Sequence, residues 1–253
     1  MRSLIKIILI FCFVSMSATV SLSQGFDWQF SSRLPSDYPE YFLGFSGGYE
    51  HSLHDGNIVL DDTQFDCCQF ETGSGSGFFV GLTGEYWLSG HFAVNAKLLF
   101  TNSSSTFLKQ ADPIPIIGSE DLITEYEFRN TLSYVNLELS GKYRLLESHF
   151  HVGATLFLGV KLTEKNEYME RVVQGGPFND GTTEKVLEIA NTPDVRSIYF
   201  MPKVNFGYDV DLGLGKYMTP QISVGIPIIS LSDTASWDRF SLSAGVSVYW
   251  AMW

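Results

Sequence analysis

The chain has 253 residues, a formal net charge of −12, 45% hydrophobic and 15% aromatic residues. So acidic a balance excludes nucleic acid as an expected partner, because phosphate neutralisation needs clustered Lys and Arg. Three cysteines are too few for a disulfide framework in a domain of this size.

The first residues read as a targeting segment. Arg2 and Lys6 give a basic start, Leu4 to Val14 is an apolar run, and Ser17-Ala18 and Ser21-Leu22-Ser23 supply small residues for cleavage. We expect a cleaved signal peptide over residues 1–23, a periplasmic segment over residues 24–40 and a barrel over residues 41–253. The apolar run is shorter than the roughly 17–25 residues of a spanning helix. Cys12 lies inside the run after Phe11, which does not fit a lipid-modified cysteine. Beyond the leader no stretch approaches 18 consecutive apolar residues, so a membrane crossing has to use strands.

From Tyr41 onward about eight runs alternate with period two, broken by Gly, Asn, Asp and Ser clusters. Ile198, Phe200, Val204, Phe206, Tyr208 and Val210 oppose Lys203, Asn205, Gly207 and Asp209; Val135, Leu137, Leu139 and Tyr143 oppose Asn136, Glu138, Ser140, Lys142 and Arg144. Alternation alone leaves a soluble barrel or sandwich open. The aromatic positions decide. With the apolar face outward, Tyr41, Tyr86, Phe92, Tyr143, Phe150, Tyr208 and Trp250 fall at one end of their runs, and Tyr49, Phe78, Phe100, Phe200 and Phe240 near the other. Two aromatic girdles around an aliphatic band are what a bilayer selects. Short connections (Ser89-Gly90, Leu146 to Ser148, Leu212 to Gly215) alternate with long ones (Ser52 to Gly75, Lys109 to Ile123, Lys165 to Asp194, Leu231 to Arg239). That asymmetry puts both termini on the short-turn, periplasmic side and requires an even strand count. The expected fold is all-β, a single closed antiparallel transmembrane barrel of eight strands.

With these hairpins and the aromatic-rich final run Phe240 to Trp253, the chain resembles bacterial outer-membrane β-barrel domain proteins of the small eight-stranded kind. The segment Cys67 to Gly77 is also similar to a stretch found in such envelope proteins. The resemblance covers residues 41–253 and implies residence in the outer membrane of a Gram-negative bacterium, among its lipids. It implies delivery by periplasmic chaperones and a β-barrel assembly machinery that reads the last strand. Trp253 has the opposite parity to Trp250, so the terminal aromatic is ambiguous. Pro202 and Pro227 have to sit at a bulge or above the bilayer, since a closed barrel has no edge.

Eight strands enclose an interior just wide enough for side chains. The inward set Glu50, Glu85, Lys97, Glu138, Lys142, Arg144, Lys161, Lys203 and Asp209 is expected to pair within it as a lumen charge network. Adjacent Cys67 and Cys68 leave three options: a strained vicinal disulfide, a bond to another molecule, or free thiols. No cofactor or metal is expected; Asp61, Asp62 and Asp66 lack the ligand pattern of a calcium hand, and His91, His149 and His151 cluster near periplasmic turns. His51, Ser52, His54 and Asp55 at the first long loop raise a rim hydrolase, without a recognised catalytic spacing. Tyr168 to Val173 and Thr183 to Ile189 alternate around Asn179-Asp180-Gly181, as a hairpin above the membrane would. The expected role is non-enzymatic, structural or in contact with an unknown surface partner; a narrow solute channel and a rim hydrolase are the alternatives.

Overall fold

Runs in which Val, Leu, Ile, Phe and Tyr alternate with Ser, Asn, Gly and charged residues form long strands, because each pleat face then meets one kind of surroundings. The computed structural model describes residues 40–59, 69–115, 120–145, 148–178, 181–187, 194–213 and 215–252. The expected leader, nearly all of the N-terminal segment, Asp61, Asp62, Asp66, Cys67, Cys68, the hairpin tip Asn179-Asp180 and Trp253 lie outside the described residues. The strands are β1 (Tyr41–Val59), β2 (Gln69–Trp87), β3 (Phe92–Gln110), β4 (Ile123–Arg144), β5 (Phe150–Gln174), β6 (Glu184–Leu187), β7 (Ile198–Tyr208), β8 (Val210–Gly213), β9 (Lys216–Gly225) and β10 (Ser236–Met252).

Eight of them close a ring in the order β1-β2-β3-β4-β5-β7-β9-β10, with β10 returning to β1 from Tyr41↔Met252 to Asn57↔Ser236. Every pairing is antiparallel. β8 continues β7 beyond Asp209 and stays on β9, while β6 folds back on the far end of β5. That last pairing, from Tyr168↔Leu187 to Arg171↔Glu184, is the protruding hairpin expected from sequence.

The ring is inverted relative to a water-soluble fold. Phe45 and Leu43 are 61% and 55% exposed on the outside, while Asp209 and Arg144 are 0% and 1% exposed inside. A soluble surface does not sort its residues that way. The expected lower girdle forms cross-strand pairs: Tyr41 opposes Tyr86 with rings 4.6 Å apart, Phe92 opposes Tyr143, and Phe150 opposes Tyr208 at 4.8 Å. Trp250 meets Phe45 edge-on at 6.1 Å. At the other height Tyr49 opposes Phe78, which lies 6.3 Å from Phe100. Eight residue steps separate Tyr41 from Tyr49; at about 3.3 Å per step and a tilt of roughly 40° the rings of aromatics stand about 20 Å apart.

Two of the long connections expected from sequence are in good part strand. β1 runs on to Val59 and β2 begins at Gln69, so most of Ser52 to Gly75 belongs to the wall; β5 likewise extends to Gln174. The reading missed them because Gly73, Ser74, Gly75, Ser76 and Gly77 are residues that strands usually avoid, and because bulges at Asp55/Ile58 and Ser133/Tyr134 shift the alternation.

Prolines mark the thinnest joint. β7 and β9 share five register pairs, Lys203↔Gly225 to Gly207↔Gln221, and β8 adds three, Val210↔Met218 to Gly213↔Lys216, whereas the other joints of the ring share ten or more. The Pro202 carbonyl accepts from Ile226 N at 3.0 Å and the Pro220 carbonyl faces Gly207, so both rings put their missing N–H into this joint. Pro227 follows β9 outside the ladder.

Inward glycines make room for the side chains that fill the cylinder. A Cβ on Gly48 would meet the Ala244 carbonyl at 2.4 Å and the Phe79 ring at 2.5 Å. Gly48→Ala is therefore expected to destabilise the barrel by about 1–3 kcal/mol through overpacking, seen as a lower urea midpoint for the compact band on unboiled gels. Gly47→Ala, where the nearest atom stands at 3.5 Å, is expected to leave that midpoint unchanged.

Candidate functional site

The interior is layered along the barrel axis. At the short-turn end Phe42, Trp87, Ala93, Tyr217 and Tyr249 form an apolar floor, with Tyr217 and Tyr249 stacked at 4.7 Å. At the long-loop end a larger cluster runs from Phe157 and Met201 up through Phe107, Phe128, Phe70, Tyr168 and Trp237. Charged and polar side chains occupy the height between them.

Two sets of ion pairs span this middle layer. Asp209, at the break between β7 and β8, takes Lys142 at 2.8 Å, Arg144 at 3.1 Å and the Thr219 hydroxyl at 2.8 Å. Lys142 also reaches Glu85 at 3.3 Å, and the Tyr217 hydroxyl donates to the same carboxylate. Arg144 lies 4.3 Å over the Trp87 ring, tying charges to floor. In the second set Lys203 pairs with Glu138 at 2.8 Å and Glu50 at 3.8 Å, and Glu50 receives Arg239. Strands distant in sequence are thereby cross-linked through the lumen.

Of the nine residues expected in the lumen network, eight are buried there and Lys161 is not. Lys161 sits at the long-loop rim, bound to Glu164 at 2.7 Å, Asp194 at 3.1 Å and the Val195 carbonyl. Lys161 keeps the inward parity of Phe157 and Gly159 but stands above the layer, where its backbone N–H donates to the Ser197 carbonyl just before β7 begins. Lys97 is in the lumen but joins neither set: its ammonium donates to Gln221 Oε1 at 3.1 Å and Ser247 Oγ at 3.4 Å. Arg239 was missed because it fell at the edge of a connection read as loop. Running the alternation of Phe240 to Trp250 three residues backwards would have placed both Trp237 and Arg239 inside. With Arg239 the layer holds five cations (Lys97, Lys142, Arg144, Lys203, Arg239) and four carboxylates (Glu50, Glu85, Glu138, Asp209).

The residues that raised a rim hydrolase are split by the strand pleat. Ser52 and His54 are buried inside, while His51 and Asp55 lie on the opposite face of β1. Trp237 Nε1 donates to His54 Nδ1 at 2.8 Å. Neutral His54 therefore carries its own proton on Nε2, which faces Ser52 Oγ at 2.9 Å and Ser105 Oγ at 2.8 Å. A protonated Nε2 donates to a serine and cannot take its proton. Among the described residues no group of three or more His, Cys, Asp and Glu gathers as a metal site.

Among the described residues, cavities lie on both sides of the wall. The one in the lumen, between Lys97, Lys142, Gln221 and Tyr249, measures about 20 Å³. The larger, about 580 Å³, is a groove on the outer wall floored by Gly84, Ala96, Gly141 and Ala154 beside the Tyr41–Tyr86 stack, and it faces the apolar belt.

The family described as outer membrane protein beta-barrel domain matches residues 61–233. No curated protein sequence matches the chain. Solved structures similar to it include Neisserial surface protein A (9% identity, TM-score 0.33, covering 83% of this chain and 96% of that one), outer membrane protein AlkL in lipid bilayers (10%, 0.42, 91% and 98%), and outer membrane protein OprG from Pseudomonas aeruginosa (11%, 0.37, 85% and 98%).

Removing one partner of a buried pair strands the other charge. Asp209→Asn is expected to cost about 3–5 kcal/mol by leaving Lys142 and Arg144 without their shared carboxylate, measured by urea unfolding in detergent micelles. The exposed pair of Lys165 and Glu167, 2.5 Å apart, is the control: Lys165 holds the Glu167 carboxyl below its usual range, yet Lys165→Ala is expected to leave the midpoint nearly unchanged.

Proposed function

This chain belongs to the outer membrane protein beta-barrel domain family and lies in the outer membrane of a Gram-negative bacterium, and from that premise we propose that it is a closed, non-enzymatic barrel whose work is done by its extracellular face. One observation carries the proposal: the wall and its packed interior continue well past the upper girdle. β3, β4, β5 and β6 remain paired above Phe100, from Thr106↔Arg129 to Gln110↔Glu125 and out to Arg171↔Glu184. Phe70, Phe107, Phe128, Tyr168 and Trp237 fill the space they enclose. Strands ordered beyond the lipid make a rigid platform, and rigidity is what a contact surface needs.

The same packing argues against transport. A lumen cavity of about 20 Å³ has room for about one water, and it is capped by apolar side chains above and below. The His54 geometry argues against hydrolysis. Outer-membrane lipids surround the belt, and β10, which carries Trp237, Phe240, Tyr249 and Trp250, is the strand we assign to recognition by the assembly machinery after delivery by periplasmic chaperones.

In planar bilayers the purified protein is expected to give no large, stable conductance; a porin-like step would overturn the closed reading. On cells lacking other adhesins, the intact protein is expected to raise attachment to protein-coated or abiotic surfaces. A variant with residues 172–186 replaced by a two-residue turn should keep its heat-modifiable fold and lose that gain. Equal attachment by both would remove the platform from the explanation.

A further inference from the structure

We propose that the barrel lumen holds one small monovalent anion, of chloride size, against Lys97. Three observations lead there. The charged layer contains five cations and four carboxylates, all buried, so it carries one positive charge in excess. The cation outside both ion-pair sets is Lys97, whose ammonium donates to the neutral acceptors of Gln221 and Ser247 while its cross-strand partner Glu138 is taken by Lys203. And the cavity in that layer opens directly on Lys97.

The lining suits an anion. Gln221 turns its carbonyl to Lys97, so its amide nitrogen is the end left to donate. Lys142 supplies a second ammonium at the cavity wall. The carboxylate on this wall, Glu85, is already held by Lys142, by Asn95 and by the Tyr217 hydroxyl. Water alone would fill the space but leave the excess charge in a low-dielectric interior, where an uncompensated ion is costly. A volume of about 20 Å³ admits one body near the size of a water, which excludes sulfate, phosphate and carboxylic acids with a carbon chain. Because apolar layers close the lumen at both ends, the ion enters as the ring closes and leaves slowly.

The test uses the full barrel refolded in micelles at neutral pH, with sodium chloride exchanged for sodium gluconate at constant ionic strength. Above saturation, each tenfold rise in chloride is expected to raise the folded-to-unfolded ratio in urea about tenfold, as one site bound only in the folded state requires. Lys97→Met, which removes both the excess charge and the ligand, should fold and lose this dependence. Crystals grown in bromide should show an anomalous peak in contact with Lys97 Nζ. An equal ratio in chloride and gluconate would overturn the proposal, as would a chloride dependence that persists unchanged in Lys97→Met. If that variant does not fold, a bromide map without a peak at Lys97 overturns it on the native chain.

Discussion

Hydrocarbon offers no hydrogen bonds, and the rest of this architecture follows from that constraint. Each backbone N–H and C=O within the belt has to find a partner on a neighbouring strand, so the sheet cannot have an edge and must return on itself. β10 meets β1 along nearly its whole length, which is how this chain meets the requirement. Closure in turn fixes the two environments. Aliphatic and aromatic residues go outward because lipid is there, and whatever remains has to be accommodated in a cylinder of eight strands.

That cylinder is too narrow for bulk water and too polar to collapse as oil, and the solution is layered. Trp87, Tyr217 and Tyr249 supply area and ring faces at the floor, the Asp209 and Glu50 clusters supply opposing charges at mid-height, and Phe107, Phe128 and Trp237 restore apolar packing at the top. Each charged set ties together strands that are not neighbours in the wall. The interior thereby braces the ring, and the same bracing extends beyond the membrane, where it holds the outer segments of β3, β4 and β5 in place.

The wall was readable from the sequence because lipid imposes a period of two that few other surroundings maintain. Tyr41, Tyr143 and Phe150 could be assigned an outward face and a height by parity alone. Two features were not readable, for separate physical reasons. The interior aromatics Phe42, Trp87, Tyr217 and Tyr249 share their chemistry with the girdle, so only parity distinguishes them, and composition offers no help. The outer segments were obscured because bulges break the period where the strands leave the membrane, and Lys161 shares the inward parity of Phe157 and Gly159, so parity alone could not show that it stands above the charged layer. Glycine and serine in β2 compounded this, since Gly73 to Gly77 is chosen for the space it leaves to Phe107 and Ser103 and not for strand preference.

A closed ring shares its strength unevenly, and here the chain ends are not the weak point. β1 and β10 are zipped from Tyr41 to Asn57, whereas β7 and β9 hold by five pairs, extended by three from β8, with Pro202 and Pro220 each withholding a donor. The thinnest seam of the cylinder therefore lies four-fifths of the way along the chain, not where its first and last strands meet. The barrel is thus latched by its ends and hinged in its body. A mutation that disturbs the ladder of β7 loosens a joint that has little to spare, while β4 is held on both sides by the longest ladders in the wall.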